Sequence, residues 1–329
     1  MNKSFNDIED KIYLFLDEIE KLPDWENRVK IYYDLYPNIK FIITGSVSIS
    51  LRKGSNESLA GRLFSYFLPP LTFGEYLELN NLKLDGIINN IDLYKNKIIP
   101  LFYKYIKYGT FPELLFNNDD EFAREYIFGT VIDRIIYKDI SDEFHVNDTN
   151  LLKILLKTVI ERPGMILNFK SLSENYGRDQ RTISNYFEYL QFGLLTKIVY
   201  NYRPNEVISM RKLKKCYLST PNLIFAMSAN FDEKLPYILE NLVLMHTNCN
   251  YFYKNNFEVD FILKKDSKII PIEVKKSYKS IKQINNFLKH YSDKVMHSLM
   301  ITLNDESISE NIKIIPVYKF LLLEEYKYD

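Results

Sequence analysis

The chain has 329 residues, 46% hydrophobic and 26% charged, and its 43 Lys+Arg balance 43 Asp+Glu, so no overall field draws it to nucleic acid and any such binding has to come from local patches. That length divides naturally into about two to four compact units. Cys216 and Cys249 lack any partner at metal-ligand or redox spacing, residues 1–10 lack the apolar core of a signal peptide, and no stretch approaches the roughly 20 apolar residues of a membrane span, so the expectation is a soluble, cytoplasmic protein with no membrane role.

In chain order, Tyr13–Leu16 is a short apolar and aromatic run, as in a strand buried on both faces of a parallel sheet. Asp17 and Glu18 end it. A helix follows from Pro23 to Tyr36, with an apolar stripe at Trp25, Val29, Tyr32, Tyr33 and Tyr36, and a second apolar strand, Phe41–Ser46, ends in small polar residues. Ligands gather at the C-terminal ends of such parallel strands, where Asp17, Glu18, Thr44 and Ser46 fall. Ser65–Leu71 reads as a further short strand. Helical periodicity then dominates from about Phe73 to Lys157, broken at Gly109–Glu113 and Asn117–Asp120.

Between Thr149 and about Tyr202 the pattern is three short helices and a β segment. Asn168–Tyr176 is one helix, Gly177 turns the chain, and Asp179 caps a second whose buried stripe is Ile183, Phe187 and Leu190. This is a helix-turn-helix signature, with Thr196–Tyr200 and a basic loop at Met210–Lys215 placed like a wing. Off the apolar stripe, Arg178, Gln180, Arg181, Ser184 and Asn185 suit phosphates and base edges in a major groove, and Arg203, Arg211, Lys212, Lys214 and Lys215 suit the DNA backbone. Winged helices also serve protein contacts, and that alternative stays open. From Leu235 the order is helix, hairpin, strand, helix and strand, a separate α/β unit. The four histidines are scattered and read as structural or surface residues.

Two constellations carry chemistry. An Asp-Glu pair at the end of a buried strand suits nucleotide hydrolysis, with Asp17 holding Mg²⁺ through its water shell and Glu18 orienting the attacking water. With Thr44-Gly-Ser46 on the neighbouring strand and Gly61-Arg62 beyond, residues 12 to 79 resemble the AAA+ ATPases, in particular the prokaryotic family that joins such a module to a C-terminal region of unassigned function. The resemblance implies a Walker B strand at Ile12–Glu18, a sensor strand at Thr44–Ser46, and nucleotide contacts from Asp17, Thr44, Ser46 and Arg62; Arg62 equally suits a surface pairing with a carboxylate. It also implies ATP and Mg²⁺ as cofactors and homo-oligomers as partners. The phosphate loop of that family needs a Gly-Lys pair, yet the first glycine is Gly45 and no Gly-Lys occurs. The chain is therefore expected neither to bind ATP tightly nor to hydrolyse it alone, and to begin after the loop, which an upstream polypeptide would then supply.

The second constellation is Phe257–Leu263 followed by Ile269–Ser277, with Glu240 upstream. Residues two apart share a strand face, so Glu273 and Lys275 point together and Asp260, on the preceding strand of a hairpin, can meet them. Two carboxylates suited to Mg²⁺ beside a lysine are machinery for phosphodiester hydrolysis. The pattern resembles the PD-(D/E)xK nuclease fold, which implies Asp260 and Glu273 as metal ligands, Lys275 as the residue that activates water, and Glu240 as an accessory acid. That fold also occurs as an inactive binding module. The fold class expected is thus α/β and α+β multidomain: a partial AAA+ parallel sheet over 1–79, a helical module over 80–148, a winged helix over 149–220 and a nuclease-like domain over 221–329. The functional expectation is an AAA+ ATPase-family protein that associates with DNA, the alternatives being an active Mg²⁺-dependent endonuclease or a non-catalytic relic that binds DNA or a partner.

Overall fold

The computed structural model describes residues 10–45, 59, 61–64, 66–309 and 311–327, and the chain divides into two compact units, Met1–Pro69 and Pro70–Asp329. In the first, strands β1 (Ile12–Leu16) and β2 (Ile39–Ile43) pair in parallel with Leu16 opposite Ile43, and helix α1 (Trp25–Leu35) connects them. Trp25 and Val29 lie four apart on one face of α1 and are buried with Ile19 and Leu59. Among the described residues, that small core meets β1 at Leu16. Tyr13 and Phe15, expected to be buried, are 58% and 72% exposed, and Leu14 between them is exposed too. Tyr32 and Tyr33 of the expected helix stripe are exposed, since the core reaches only the first two turns of α1. The strand expected at Ser65–Leu71 does not form among its described residues, Tyr66–Leu71; Pro69 and Pro70 have no N–H to donate to a ladder.

The second unit opens with α2 (Phe73–Leu79), started by a reciprocal cap in which Thr72 Oγ1 accepts from the Glu75 N–H and Glu75 Oε2 accepts from the Thr72 N–H. Next come α3 (Ile91–Tyr108) and α4 (Asp120–Glu125), the latter continuing into two segments of π-helix, Tyr126–Asp133 and Ile135–Ile140. Helices α5 (Thr149–Glu161), α6 (Phe169–Tyr176) and α7 (Gln180–Phe192) follow. Each is started by a side chain that accepts from a first-turn N–H: Asp148 from Leu151, Asn168 from Ser171 and Asp179 from Thr182. Gly177 ends α6 at φ +61°, the left-handed backbone that favours glycine. Ile183, Phe187 and Leu190 are fully buried along α7.

One sheet then crosses the division expected between residues 220 and 221. Its order is β3 (Met165–Ile166), β5 (Lys214–Leu218), β4 (Thr196–Asn201), β6 (Tyr251–Lys254) and β7 (Glu258–Val259), and β4 pairs with β6 in parallel through Tyr200–Tyr251 and Asn201–Phe252. The basic stretch expected as a loop at Met210–Lys215 is instead the end of α8 (Glu206–Arg211), capped by Asn205, and the start of β5. Helices α9 (Asn222–Met227) and α10 (Leu235–Thr247) lead to the second sheet, ordered β11 (Ser307–Ser309), β12 (Ile312–Pro316), β10 (Ser298–Thr302), β9 (Lys268–Val274) and β8 (Phe261–Lys265). Strands β8 and β9 form an antiparallel hairpin, while β9, β10 and β12 run parallel, with α11 (Lys282–Tyr291) between β9 and β10 in the chain. A continuous apolar core extends from Phe73 to Tyr326. The three modules expected within 80–329 therefore share one compact unit.

Candidate functional site

In the first unit the parallel pairing of Leu16 with Ile43 sets Asp17 beside Thr44. The Thr44 hydroxyl donates to Asp17 Oδ1, the Thr44 N–H to the Leu16 carbonyl at 2.9 Å, and the Glu18 N–H to Thr44 Oγ1 at 3.3 Å. Glu18 has φ +47° and an ion pair with Lys21. Arg62 pairs with Asp34, Nε to Oδ1 at 3.0 Å and Nη2 to Oδ2 at 3.4 Å, which is the surface pairing of its two open roles. Ser46 lies outside the described residues.

The hairpin in the second unit builds a denser cluster. Because Phe261 pairs with Ile272, Asp260 sits just before the start of β8 against the last residues of β9, and its Oδ2 accepts from the Val274 N–H at 2.8 Å. The two-residue period puts Glu273 and Lys275 on one face. Lys275 Nζ stands 2.6 Å from Glu273 Oε1 and 3.8 Å from Asp260 Oδ2. Glu240, on α10, accepts a hydrogen bond from the Tyr217 hydroxyl at 2.9 Å. Asp260 and Glu273 are both buried, and Glu273 Oε2 has no hydrogen-bond partner among the described residues.

Burial, and then the Asp260 charge, push the Glu240 carboxyl to about 8 and the Glu273 carboxyl to about 7. Both effects disfavour the ionised form. For Lys275 burial opposes the charge, yet Asp260 and Glu273 outweigh it and hold the ammonium above its ordinary value. Lys275 is thus protonated at neutral pH, a hydrogen-bond donor and point charge beside the two carboxyls.

The residues expected to contact DNA divide. Arg178, Gln180 and Arg181 are exposed at the start of α7, and Ser184 and Asn185 partly so; Arg178 is paired with Asp148 at 2.7 Å. Arg211 and Lys212 are exposed, and Lys214 Nζ lies 5.4 Å above the Tyr200 ring. Arg203 Nη1 donates to Asn201 Oδ1 and the Tyr202 carbonyl and Nη2 to the Lys254 carbonyl, so it ties β4 to β6. Lys215 departs from expectation. It is buried, its Nζ 2.5 Å from Glu258 Oε1 and 3.4 Å from the Tyr217 hydroxyl, so it faces the acidic cluster and not a DNA backbone. The reason is strand alternation: Lys215 and Tyr217 share the face of β5 opposite Cys216.

Tyr217 and Glu258 are the members of the cluster that sequence reasoning missed. The period-two spacing of Lys215 and Tyr217 was available as a signal, but the pairing of β4 with β6 that brings β5 near the C-terminal hairpin was not. The donor set is hard oxygen, and a buried carboxylate oxygen without a partner beside a second carboxylate fits a divalent cation such as Mg²⁺. Among the described residues no group of three or more His, Cys, Asp or Glu side chains is arranged to hold a metal. Mg²⁺ commonly takes one or two protein carboxylates and completes its shell with water and substrate phosphate. Among the same residues no helix is long and apolar enough to cross a membrane.

Three family models match the chain: an AAA domain over residues 1–77, a domain of unknown function (DUF8612) over 99–234, and a second (DUF4143) over 237–320. Uncharacterized protein MJ1544 of Methanocaldococcus jannaschii is 28% identical, with 94% of this chain and 74% of that protein covered. MJ1637 of the same organism is 29% identical, with 96% and 71% covered. An uncharacterized protein of Haemophilus influenzae is 25% identical, with 81% and 66% covered. Among solved structures, protein VC1899 from Vibrio cholerae aligns with 94% of this chain and 96% of its own, at 12% identity and a TM-score of 0.19, too low to carry an argument. The AAA domain at one end and the DUF4143 region at the other support an AAA-like ATPase-family protein.

Proposed function

We propose that the cluster around β9 hydrolyses phosphodiester bonds in DNA with a divalent cation. The observation that carries this reading is the buried Glu273 Oε2, which has no hydrogen-bond partner among the described residues, on a side chain whose Oε1 meets Lys275, itself 3.8 Å from Asp260. Leaving a carboxylate oxygen buried without a partner is costly, and a cation held by Asp260 and Glu273 removes the cost. When bound, that cation would act as a Lewis acid and lower the pKa of its water.

The other roles belong to the chain. Lys275 donates to phosphate oxygens and offsets the charge that builds on them during attack; its position on two carboxylates keeps it charged and aimed. Glu240 lies close enough to Asp260 for their charges to interact, and serves as the accessory acid that accepts or returns a proton at its carboxylate. Arg178, Gln180, Arg181, Ser184 and Asn185, at the outer face of α7, give the DNA contacts that place the substrate.

The test is incubation of the purified chain with branched and linear DNA and Mn²⁺, beside a Glu273→Ala/Lys275→Ala variant. Cleavage by the wild type and none by the variant is expected. Retained DNA binding without cleavage by either protein would replace this reading with that of a non-catalytic binding module.

A further inference from the structure

The sheet that crosses from the α6–α7 region into the C-terminal region brings β5 against the acidic cluster, and Tyr217 is the residue it delivers there. The ring is held on three sides. Gly164 has φ +77°, and a Cβ at that position would stand 2.7 Å from Tyr217 Cε1, so only glycine admits the turn so close to the ring. Phe261, the first residue of β8, packs at 5.4 Å between centroids and 45° between planes. At the far end the hydroxyl donates to Glu240 Oε2 at 2.9 Å, with Lys215 Nζ 3.4 Å away. Tyr217 is fully buried. A large polar side chain enclosed this way, with its hydroxyl directed at a carboxylate of the site, does more than fill volume: it limits the rotamers open to Glu240.

We propose that Tyr217 is a positioning residue of the C-terminal site, fixing the Glu240 carboxylate beside Asp260 through its hydroxyl. The inference rests on the divalent-cation reading above. It makes the site a joint product of two stretches that sequence patterning separates, because the hairpin supplies Asp260, Glu273 and Lys275 while β5 sets the carboxylate that completes them.

The experiment is Mn²⁺ binding to the full chain, followed by electron paramagnetic resonance of the free ion, for wild type, Asp260→Asn, Tyr217→Phe, Glu240→Gln and the Tyr217→Phe/Glu240→Gln double variant, with thermal unfolding to establish that each is folded. Outer partners of metal-site residues are typically worth about 10- to 100-fold in affinity or activity. Tyr217→Phe should weaken Mn²⁺ binding by about tenfold, Glu240→Gln by at least as much, and the double variant no more than Glu240→Gln alone, because the hydroxyl acts through that carboxylate. Wild-type affinity in Tyr217→Phe, or effects that add in the double variant, would overturn the role of Tyr217 while leaving the site itself standing. Should Tyr217→Phe not fold, Glu240→Gln decides alone, since wild-type affinity there leaves the hydroxyl nothing to act through. Absence of saturable binding by wild type would remove the cation site and this inference with it.

Discussion

The Asp17 edge of the first unit and the Asp260–Glu273 cluster of the second both set a carboxylate where an apolar strand ends, yet they differ in what encloses them. Around Asp17 the strand exposes Tyr13 and Phe15, and among the described residues the carboxylate is answered by the Thr44 hydroxyl. Around Glu273 the carboxyls lie within a continuous core, crowd one another, and are balanced by Lys275 and Lys215. Charges in water are screened to about 1 kcal/mol at contact distance, whereas burial multiplies every interaction and every cost. The same motif grammar therefore yields an ordinary polar edge in one place and a site with displaced protonation in the other. Strongly perturbed acids in a shared cluster are where chemistry is commonly found.

The sharpest way to break this comparison is to exchange the roles of the two regions by mutation. Lys275→Ala should lower cleavage by about 10²- to 10³-fold, the usual loss when a fixed donor to developing charge is removed, while Asp17→Asn should leave cleavage within about twofold; single-turnover rates with Mn²⁺ decide it. A strong loss in Asp17→Asn would mean that the first unit governs the hydrolysis.

The pH dependence of stability sharpens the contrast next. The Glu240 and Glu273 carboxyls are raised from the ordinary 4.5 to about 8 and about 7, so the folded chain retains protons that the unfolded chain releases. Their stabilising contribution is thus fully present below about pH 4.5 and lost as pH rises through about 7 and 8. Thermal unfolding in a chelator should show a midpoint that declines by a few degrees between pH 5 and 9, and Mn²⁺ should flatten the decline because the cation replaces the protons.

Smaller effects follow from local geometry. Gly164→Ala, which combines positive φ with an overlap on Tyr217, should cost about 1–3 kcal/mol in denaturant unfolding. Asp179→Ala removes the cap of α7 and should cost about 1 kcal/mol. Arg62→Ala breaks an exposed pair with Asp34 and should change stability by less than about 0.5 kcal/mol. A larger loss at Arg62 would indicate a second partner for its guanidinium.

Much of the local structure is legible from the residues alone. Asn168 and Asp179 start their helices, Gly177 ends one with a left-handed backbone, and Ile183, Phe187 and Leu190 fall on one buried face, all because capping and periodicity act over a few residues. Glu273, Lys275 and Asp260 are also legible as neighbours, since a hairpin and a two-residue period suffice to place them. Lys215 is the instructive failure. Within Met210–Lys215 it looks like one more basic surface residue, and only the parallel pairing of β4 with β6, some 50 residues apart in the chain, turns its face of β5 toward Glu258 and Glu240. Tyr13 and Phe15 fail in the opposite sense, because an apolar run records a propensity to be covered without recording what covers it.

Calorimetric titration of the full chain with Mn²⁺ near pH 7, repeated in buffers of different ionisation enthalpy, addresses the C-terminal cluster most directly. Saturable binding with release of protons, abolished by Glu273→Gln, is the expected result, because Glu240 and Glu273 hold protons in the metal-free site and must yield them to the cation. Binding without proton release, or binding unchanged in Glu273→Gln, would contradict a cation site built on these buried carboxylates.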